Sequence, residues 1–173
     1  SSNTSVATVS STGLVTGQSA GTSTITYTNS NGCSITALVQ VYALPTITGT
    51  LTVCAGSTTQ LTGSPTAATV TPWLSSNTSV ATVSSTGLVT GQSAGTSTIT
   101  YTNSNGCSIT ALVQVYALPT ITGTLTVCAG STTQLTGSPT AATVTPWLSS
   151  NTSVATVSST GLVTGQSAGT STI

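Results

Sequence analysis

The chain repeats its own sequence with a period of 74 residues and without a single substitution. Residues 1–25 recur at 75–99 and at 149–173, and residues 26–74 recur once at 100–148. A period of this length is too long for one turn of a solenoid and fits one small β-sandwich. We therefore predict an array of tandem domains rather than a stack of short structural motifs.

No side chain carries a formal charge, because Lys, Arg, Asp, Glu and His are all absent. Acid–base catalysis and the activation of Ser or Cys nucleophiles draw on these groups, so we predict that the protein is not an enzyme. Metal sites with carboxylate ligands are excluded as well, and we expect no cofactor. Nucleic acid is not a predicted partner, since its phosphates attract Lys and Arg. No apolar run approaches the roughly 18 residues of a spanning helix, which predicts no membrane insertion.

Hydroxyl and apolar side chains alternate along most of a block, the pattern of half-buried β-strands. The Asn-Gly dipeptide at Asn105 and Gly106 predicts a hairpin near the end of the block. No 3.6-residue apolar period is present, so we predict no long helix. The predicted fold class is all-β, with tandem immunoglobulin-like β-sandwich domains of about 74 residues each. The seven predicted strands span residues 46–53, 57–62, 69–74, 79–83, 87–90, 96–102 and 107–116.

The strand pattern also predicts where the domains begin and end. Residues 43–116 are predicted to form one complete repeat, whereas 1–42 supply the last four strands of a repeat and 117–173 the first six or so. This arrangement is expected of a segment of a longer, uninterrupted array of repeats. The linker at 42–45 is short and contains no Gly, which favours closely coupled neighbours.

Two parts of the block resemble a known family. Residues 73–83, with the sequence Trp-Leu-Ser-Ser-Asn-Thr-Ser-Val-Ala-Thr-Val, and residues 86–99 are similar to the bacterial immunoglobulin-like (group 2) repeat. Val-Cys-Ala-Gly-Ser at 53–57 and Asn-Gly-Cys at 105–107 resemble immunoglobulin-like repeats of large secreted surface proteins. The resemblance implies a spacer or adhesive module at a bacterial cell surface. Calcium ligands of some family members are charged residues, which this chain lacks.

Two cysteines occur in each block, Cys54 and Cys107, with repeat copies at Cys128 and Cys33. One pair per small domain is typical of oxidising extracellular compartments. A Cys54–Cys107 bridge would close a loop of about 54 residues and stabilise the domain by about 4 kcal/mol. An immunoglobulin sandwich places these positions near opposite poles, however, and bridged Cα atoms lie within about 7 Å. Bonds between domains or chains, and free thiols, therefore remain as alternatives.

Threonines recur at every second position in two stretches of the chain. Each stretch is predicted to place four hydroxyl groups on one strand face, which is a possible packing or binding surface for ice or glycan. Solvent-facing strands also favour Thr for its β-propensity alone, so the plain structural interpretation is the competing one. The two predicted ladders are Thr22, Thr24, Thr26, Thr28 and Thr46, Thr48, Thr50, Thr52.

The few aromatic side chains and a sequon-like motif also have structural interpretations. Trp73 and its copy Trp147 are predicted to fill the sandwich core, and Tyr116 is predicted to pack at a domain junction. The sequence Asn-Thr-Ser at 77–79 matches an N-glycosylation sequon, but an Asx-turn between strands is the preferred interpretation.

The absence of charged side chains for catalysis and the exact repetition of the sequence together favour a structural role. We predict an extracellular fibre, stalk or adhesin shaft at a bacterial cell surface, which assembles with copies of itself into filaments. The alternative is a module that binds ice or glycan through its Thr faces. Since the chain has no charged side chains, its association is expected to be nearly indifferent to simple salt and to pH from about 3 to about 9.

Overall fold

A computed structural model describes residues 1–139 and 144–173 of the chain. Two compact units are present, Ser1–Ala117 and Leu118–Ile173. All regular secondary structure in the described ranges is β-strand. No described helix is long and apolar enough to cross a membrane. The predicted boundary between residues 42 and 43 lies inside the first unit and stays a prediction.

Short strands separated by turns make up each copy of the repeat. The described strands are β1 (Ala7–Val9), β2 (Val15–Gly17), β3 (Gly21–Thr28), β4 (Ser34–Val41), β5 (Thr46–Gly49), β6 (Thr52–Cys54), β7 (Thr58–Ser64), β8 (Trp73–Ser75), β9 (Ala81–Val83), β10 (Leu88–Gly91), β11 (Gly95–Thr102), β12 (Ser108–Tyr116), β13 (Thr120–Gly123), β14 (Thr132–Ser138), β15 (Ala155–Val157) and β16 (Leu162–Gly165).

The complete repeat, 43–116, folds into two four-stranded sheets. One sheet has the strand order β5-β7-β10-β9 and the other has the order β6-β12-β11-β8. All pairs are antiparallel except β6 with β12, which run parallel. The longest pairing is the predicted hairpin of β11 and β12, in which Gly95 lies opposite Val115 and Thr102 opposite Ser108. The predicted all-β, immunoglobulin-like sandwich is confirmed.

The prediction of one continuous strand over 46–53 is wrong. β5 pairs with β7 in the first sheet, whereas β6 pairs with β12 in the second sheet. The chain changes sheets after Gly49, whose φ of 124° lies in a region that L side chains rarely adopt. A Cβ atom at Gly49 would also overlap the carbonyl oxygen of Gln60. The complete repeat therefore has eight described strands instead of the predicted seven.

The predicted strand over 69–74 is also wrong for most of its length. Only Trp73–Ser75 forms a strand there, and it pairs with the middle of β11. Thr71 has a φ of 44°, which interrupts extended backbone, and the following Pro72 is buried. The alternation of Thr, Val and Pro in this segment therefore reflects an irregular connection.

The core of the complete repeat lies between its two sheets. Leu61, Val89, Ile99 and Val113 are fully buried there. Trp73 packs against the ring of Tyr101 with a centroid separation of 4.6 Å and an interplanar angle of 45°. Aromatic pairs at this separation add to the stabilisation from burial alone. The predicted core position of Trp73 is confirmed.

Identical sequences bury their side chains differently in the other two copies. Residues 1–42 form two two-stranded sheets, β1-β2 and β3-β4. Residues 118–173 form one four-stranded sheet, β13-β14-β16-β15, over a small cluster around Leu135 and Val163. Tyr27 in β3 is 69% exposed, whereas its counterpart Tyr101 is 1% exposed. Burial in this protein thus depends on which strands of the sandwich are present.

Candidate functional site

Six threonines share the outer face of the β5-β7-β10-β9 sheet. Cross-strand pairs set this arrangement, because Thr48 lies opposite Thr62, and Thr90 lies opposite both Thr58 and Thr82. Side chains directly opposite in a ladder project to the same side of the sheet. We call this surface the threonine face; it consists of Thr46, Thr48, Thr58, Thr62, Thr82 and Thr90.

The outer face of the other sheet mixes threonine with leucine. Leu112 lies opposite Thr98, and Leu74 lies opposite Thr100. The two leucines are 59% and 64% exposed. We call this surface the leucine face; it consists of Leu74, Leu112, Thr98, Thr100 and Thr110. Sequence reasoning missed it, because an apolar residue in an alternating strand normally indicates the core side.

The predicted ladder at 46–52 does not form one face. Thr46 and Thr48 belong to the threonine face, whereas Thr52 pairs with Gln114 in the opposite sheet. Thr50 lies between the two strands, and its carbonyl oxygen accepts a hydrogen bond from Thr59 Oγ1 at 3.0 Å. The strand switch after Gly49 therefore divides the predicted surface.

The other predicted ladder lies along a single strand. Thr22, Thr24, Thr26 and Thr28 occupy alternate positions of β3, opposite Gln40, Leu38, Thr36 and Ser34 of β4. Their counterparts in the complete repeat lie on β11, on the leucine-face side of the sheet. The role of these hydroxyl groups as a packing or binding surface stays a prediction.

The two cysteines of the complete repeat lie at opposite ends of β12. Cys54 ends β6 and lies in register with Tyr116, the last residue of β12. Cys107 immediately precedes Ser108, the first residue of β12. A nine-residue strand rises about 3.3 Å per residue, so about 30 Å separates the two positions. A disulfide needs Cα atoms within about 7 Å. This separation does not fit a bridge within one domain, and all four cysteines are free in the structure.

A buried asparagine holds the loop that carries Cys107. Asn103 Oδ1 accepts hydrogen bonds from the backbone N–H groups of Asn105 and Cys107, both at 3.0 Å. The N–H of Asn103 in turn donates to the carbonyl oxygen of Cys107 at 2.9 Å. Asn29 makes the same side-chain contacts to Asn31 and Cys33. The loop at this pole therefore has a fixed backbone, a role for Asn103 that sequence reasoning did not identify.

A serine cluster joins the two sheets next to the core. Ser97 is 2% exposed, and its Oγ accepts a hydrogen bond from the N–H of Asn77 at 3.0 Å. Its hydroxyl also lies 2.8 Å from Ser75 Oγ, which donates to the carbonyl oxygen of Ala81 at 2.6 Å. The same cluster forms in both partial copies. Its hydroxyls satisfy buried backbone groups, so they have a structural role.

The sequon-like segment forms the predicted Asx-turn. Asn77 Oδ1 accepts hydrogen bonds from the N–H of Ser79 at 3.2 Å and from Ser79 Oγ at 2.6 Å. Asn3 makes the equivalent pair of contacts with Ser5, and Asn151 accepts from the N–H of Ser153. The turn directs the chain into β9 and its counterparts.

An apolar groove is open in the unit Leu118–Ile173. Its volume is about 540 Å³, and its walls include Leu125, Val127, Leu135, Val163 and Ile173. In the complete repeat, the counterparts of the first four residues lie beneath or beside β12 and β11. The groove is thus the open side of a sandwich core and not a pocket shaped around polar groups.

The described residues offer no cluster of metal-ligating side chains. No three His, Cys, Asp or Glu side chains come together in the part of the chain that the structure describes. The surfaces that remain are the threonine face, the leucine face and the exposed thiol of Cys54. These groups are available for packing and cross-linking.

Tandem immunoglobulin-like β-sandwiches define the class of protein to which this fold corresponds. More specifically, the chain belongs to the bacterial Ig-like domain (group 2) family, whose model matches residues 1–39, 45–113 and 119–173. The three matches follow the 74-residue period and include most of the chain. The resemblance seen in the sequence is therefore confirmed.

The solved structures to which the chain is similar include two structures of one surface-layer protein, SbsC, and one of an intimin. The chain is 24% identical to an intimin mutant of EHEC O157:H7 over 42% of this chain and 39% of that chain, with a TM-score of 0.33. Domains 1–6 of the surface layer protein SbsC share 16% identity over 95% of this chain and 34% of that chain, with a TM-score of 0.37. The S-layer protein rSbsC(31–844) shares 18% identity over 93% and 27%, with a TM-score of 0.30. The chain thus spans well under half the length of each of these structures. No curated protein matches the sequence.

Proposed function

We propose that this chain is a segment of the shaft of an extracellular fibre, stalk or adhesin at a bacterial cell surface. The observation that carries the proposal is the chain path through the complete repeat. β5 begins at Thr46 opposite Ser64, at the pole of the Cys107 loop, and β12 ends at Tyr116 at the other pole. The complete repeat therefore starts at one pole and ends at the opposite one. Repetition of such a unit adds length to an array.

A spacer role also agrees with the chemistry of the chain. The formal charge is zero, and the buried oxygens Ser97 Oγ and Asn103 Oδ1 are occupied with hydrogen bonds from backbone N–H groups. A shaft needs stable repeats and regular surfaces, and it needs no catalytic group. The family model matches all three copies, so the array is built from one type of module.

The shaft proposal predicts the length of engineered arrays. Arrays of two, four and eight copies of residues 43–116 are expected to lengthen linearly, by at least about 30 Å per copy, since β12 alone spans that distance. Electron microscopy or atomic force microscopy of single molecules measures this increment. Compact particles whose largest dimension does not grow with copy number would overturn the proposal. Thermal hysteresis or glycan binding by a single copy would instead favour the threonine face as a binding surface.

We further propose that such shafts associate laterally with copies of themselves. The edge strands β5, β6, β8 and β9 contain only three or four residues each, which limits edge-to-edge backbone pairing. The leucine face is the better contact surface, because Leu74 and Leu112 are exposed and no like charges oppose their burial.

Lateral association of this kind is expected to be insensitive to simple salt. The Debye length falls from about 30 Å to about 3 Å between about 0.01 and about 1 M salt, but contacts without ions do not respond to screening. Light scattering across this range, and from about pH 3 to about pH 9, should show nearly constant association. Replacing Leu112 by Lys should abolish it, whereas Thr62→Lys on the threonine face should have less effect. Dissociation on adding sodium chloride, or no association in any condition, would contradict the expectation.

A further inference from the structure

Cys54 lies at the pole where the chain leaves a repeat, and Cys107 lies at the pole where the chain enters one. The chain leaves a complete repeat at Tyr116, which lies in register with Cys54. It enters a repeat at the pole where β5 begins, and that pole also holds the Cys107 loop. Contacts between the segment that follows β7 and the β11–β12 hairpin fix this placement, since Ala68 N–H donates to Thr102 O and Ser104 N–H to Thr66 O.

Any junction between successive complete repeats therefore has one cysteine of each type. The repeat that ends contributes the counterpart of Cys54, and the repeat that begins contributes the counterpart of Cys107. Three residues, 117–119, separate the end of β12 from the start of β13, so the Cα atoms of Tyr116 and Thr120 are at most about 14 Å apart. The linker between successive repeats is therefore short.

Both thiols are carried by backbone that is already fixed. The carbonyl oxygen of Cys54 accepts from the N–H of Ser57 at 3.0 Å, and the next N–H, of Ala55, donates to Tyr116 O at 2.8 Å. Cys107 is held through Asn103 by the hydrogen bonds described above. Cys54 is exposed and Cys107 is half-buried, so both are near solvent. A bond between them therefore needs little ordering of either turn.

We propose that each Cys54 forms a disulfide with the Cys107 counterpart of the repeat that follows it, so that the shaft is cross-linked at every junction. The proposal rests on the shaft function above and deepens it. The oxidant is a small-molecule or protein disulfide. The thiolate of one cysteine attacks a sulfur of the oxidant and releases one thiol, and the second thiolate then attacks the mixed disulfide and releases the other. Two protein thiols lose two electrons and two protons, and the oxidant disulfide becomes two thiols.

The test uses two copies of residues 43–116 joined in tandem. All members of the core cluster lie within one copy, between its two four-stranded sheets, so one copy is expected to fold on its own. After oxidation with oxidised glutathione, peptide mapping by mass spectrometry is expected to find Cys54 of the first copy bonded to Cys107 of the second. The remaining two cysteines should stay unbridged within the molecule. A Cys54→Ser change in the first copy should abolish the bond, whereas the same change in the second copy should leave it intact.

Three results would overturn the disulfide. These are a bond between Cys54 and Cys107 of one copy, bonds that form only between molecules, and four thiols that no oxidant joins. A single copy is the matched control and is expected to keep both thiols apart. The shaft proposal fails separately, through the length of reduced arrays. Arrays that lengthen linearly without forming the junction bond would reject the disulfide and leave the shaft standing.

Discussion

Replacing Tyr101 by alanine is expected to destabilise the complete repeat by about 3–5 kcal/mol, the range for removing a large buried aromatic side chain. Tyr101 is 1% exposed and packs against Trp73 at 4.6 Å. Its hydroxyl group also donates a hydrogen bond to the carbonyl oxygen of Pro65. The substitution leaves a cavity and removes the packing of the Tyr101 ring against its neighbours. This loss is a large fraction of the total, because small domains have only about 5–15 kcal/mol of stability.

The sequence repeat supplies a matched control for this substitution. Tyr27 has identical neighbours in sequence but is 69% exposed, so Tyr27→Ala should change stability by less than about 0.5 kcal/mol. Urea denaturation followed by the fluorescence of Trp73 measures both variants, in a Trp147→Phe background that leaves one tryptophan. Equal effects of the two substitutions would show that the complete repeat does not have the core described above.

Local sequence predicted much of the fold. The alternation in β11, with buried Ser97, Ile99 and Tyr101 and outward Thr98 and Thr100, matches the period of two expected of a half-buried strand. The hairpin at Asn105 and Gly106 and the core position of Trp73 followed from equally local signals. These features could be predicted because each depends on a few adjacent residues.

Other features could not be predicted, because they depend on partners distant in sequence. Residues 52–54 form β6 beside β12, but the identical residues 126–128 form no strand, since no counterpart of β12 is present beside them. Residues 73–75 form β8 beside β11, whereas 147–149 do not form a strand. The same amino acids thus pair or remain irregular according to the tertiary context, which is the known weakness of β-propensity.

The candidate surfaces depend on topology in the same way. Alternate threonines at 46–52 predicted one face, and the change of sheet after Gly49 divided it. The threonine face instead collects residues from four strands whose registers are not visible in the sequence. The distance between Cys54 and Cys107 likewise became clear only from the parallel pairing of β6 with β12.

Adding the sequence of residues 100–116 after Ile173 is expected to convert the third copy into a cooperative domain. The extension supplies the missing part of the β11 counterpart and the whole β12 counterpart. It would place the equivalents of Tyr101, Val113 and Val115 over the apolar groove, and full burial of each such side chain contributes about 1.5–3 kcal/mol. The net gain is smaller than this sum, because the added chain loses conformational entropy.

Hydrogen exchange should report this gain at the segments that lack strand partners. Amide exchange at 126–128 and 147–149 is expected to slow by roughly 100-fold, which corresponds to about 3 kcal/mol of added protection. The half-buried Trp147 should become buried like Trp73. The matched control is an extension of the same length in which the counterparts of Val113 and Val115 are Thr, which retains strand propensity but removes apolar burial. Equal protection by both extensions would mean that backbone pairing alone completes the sheet. Protection by neither would mean that the groove is not the place where β11 and β12 of a repeat belong.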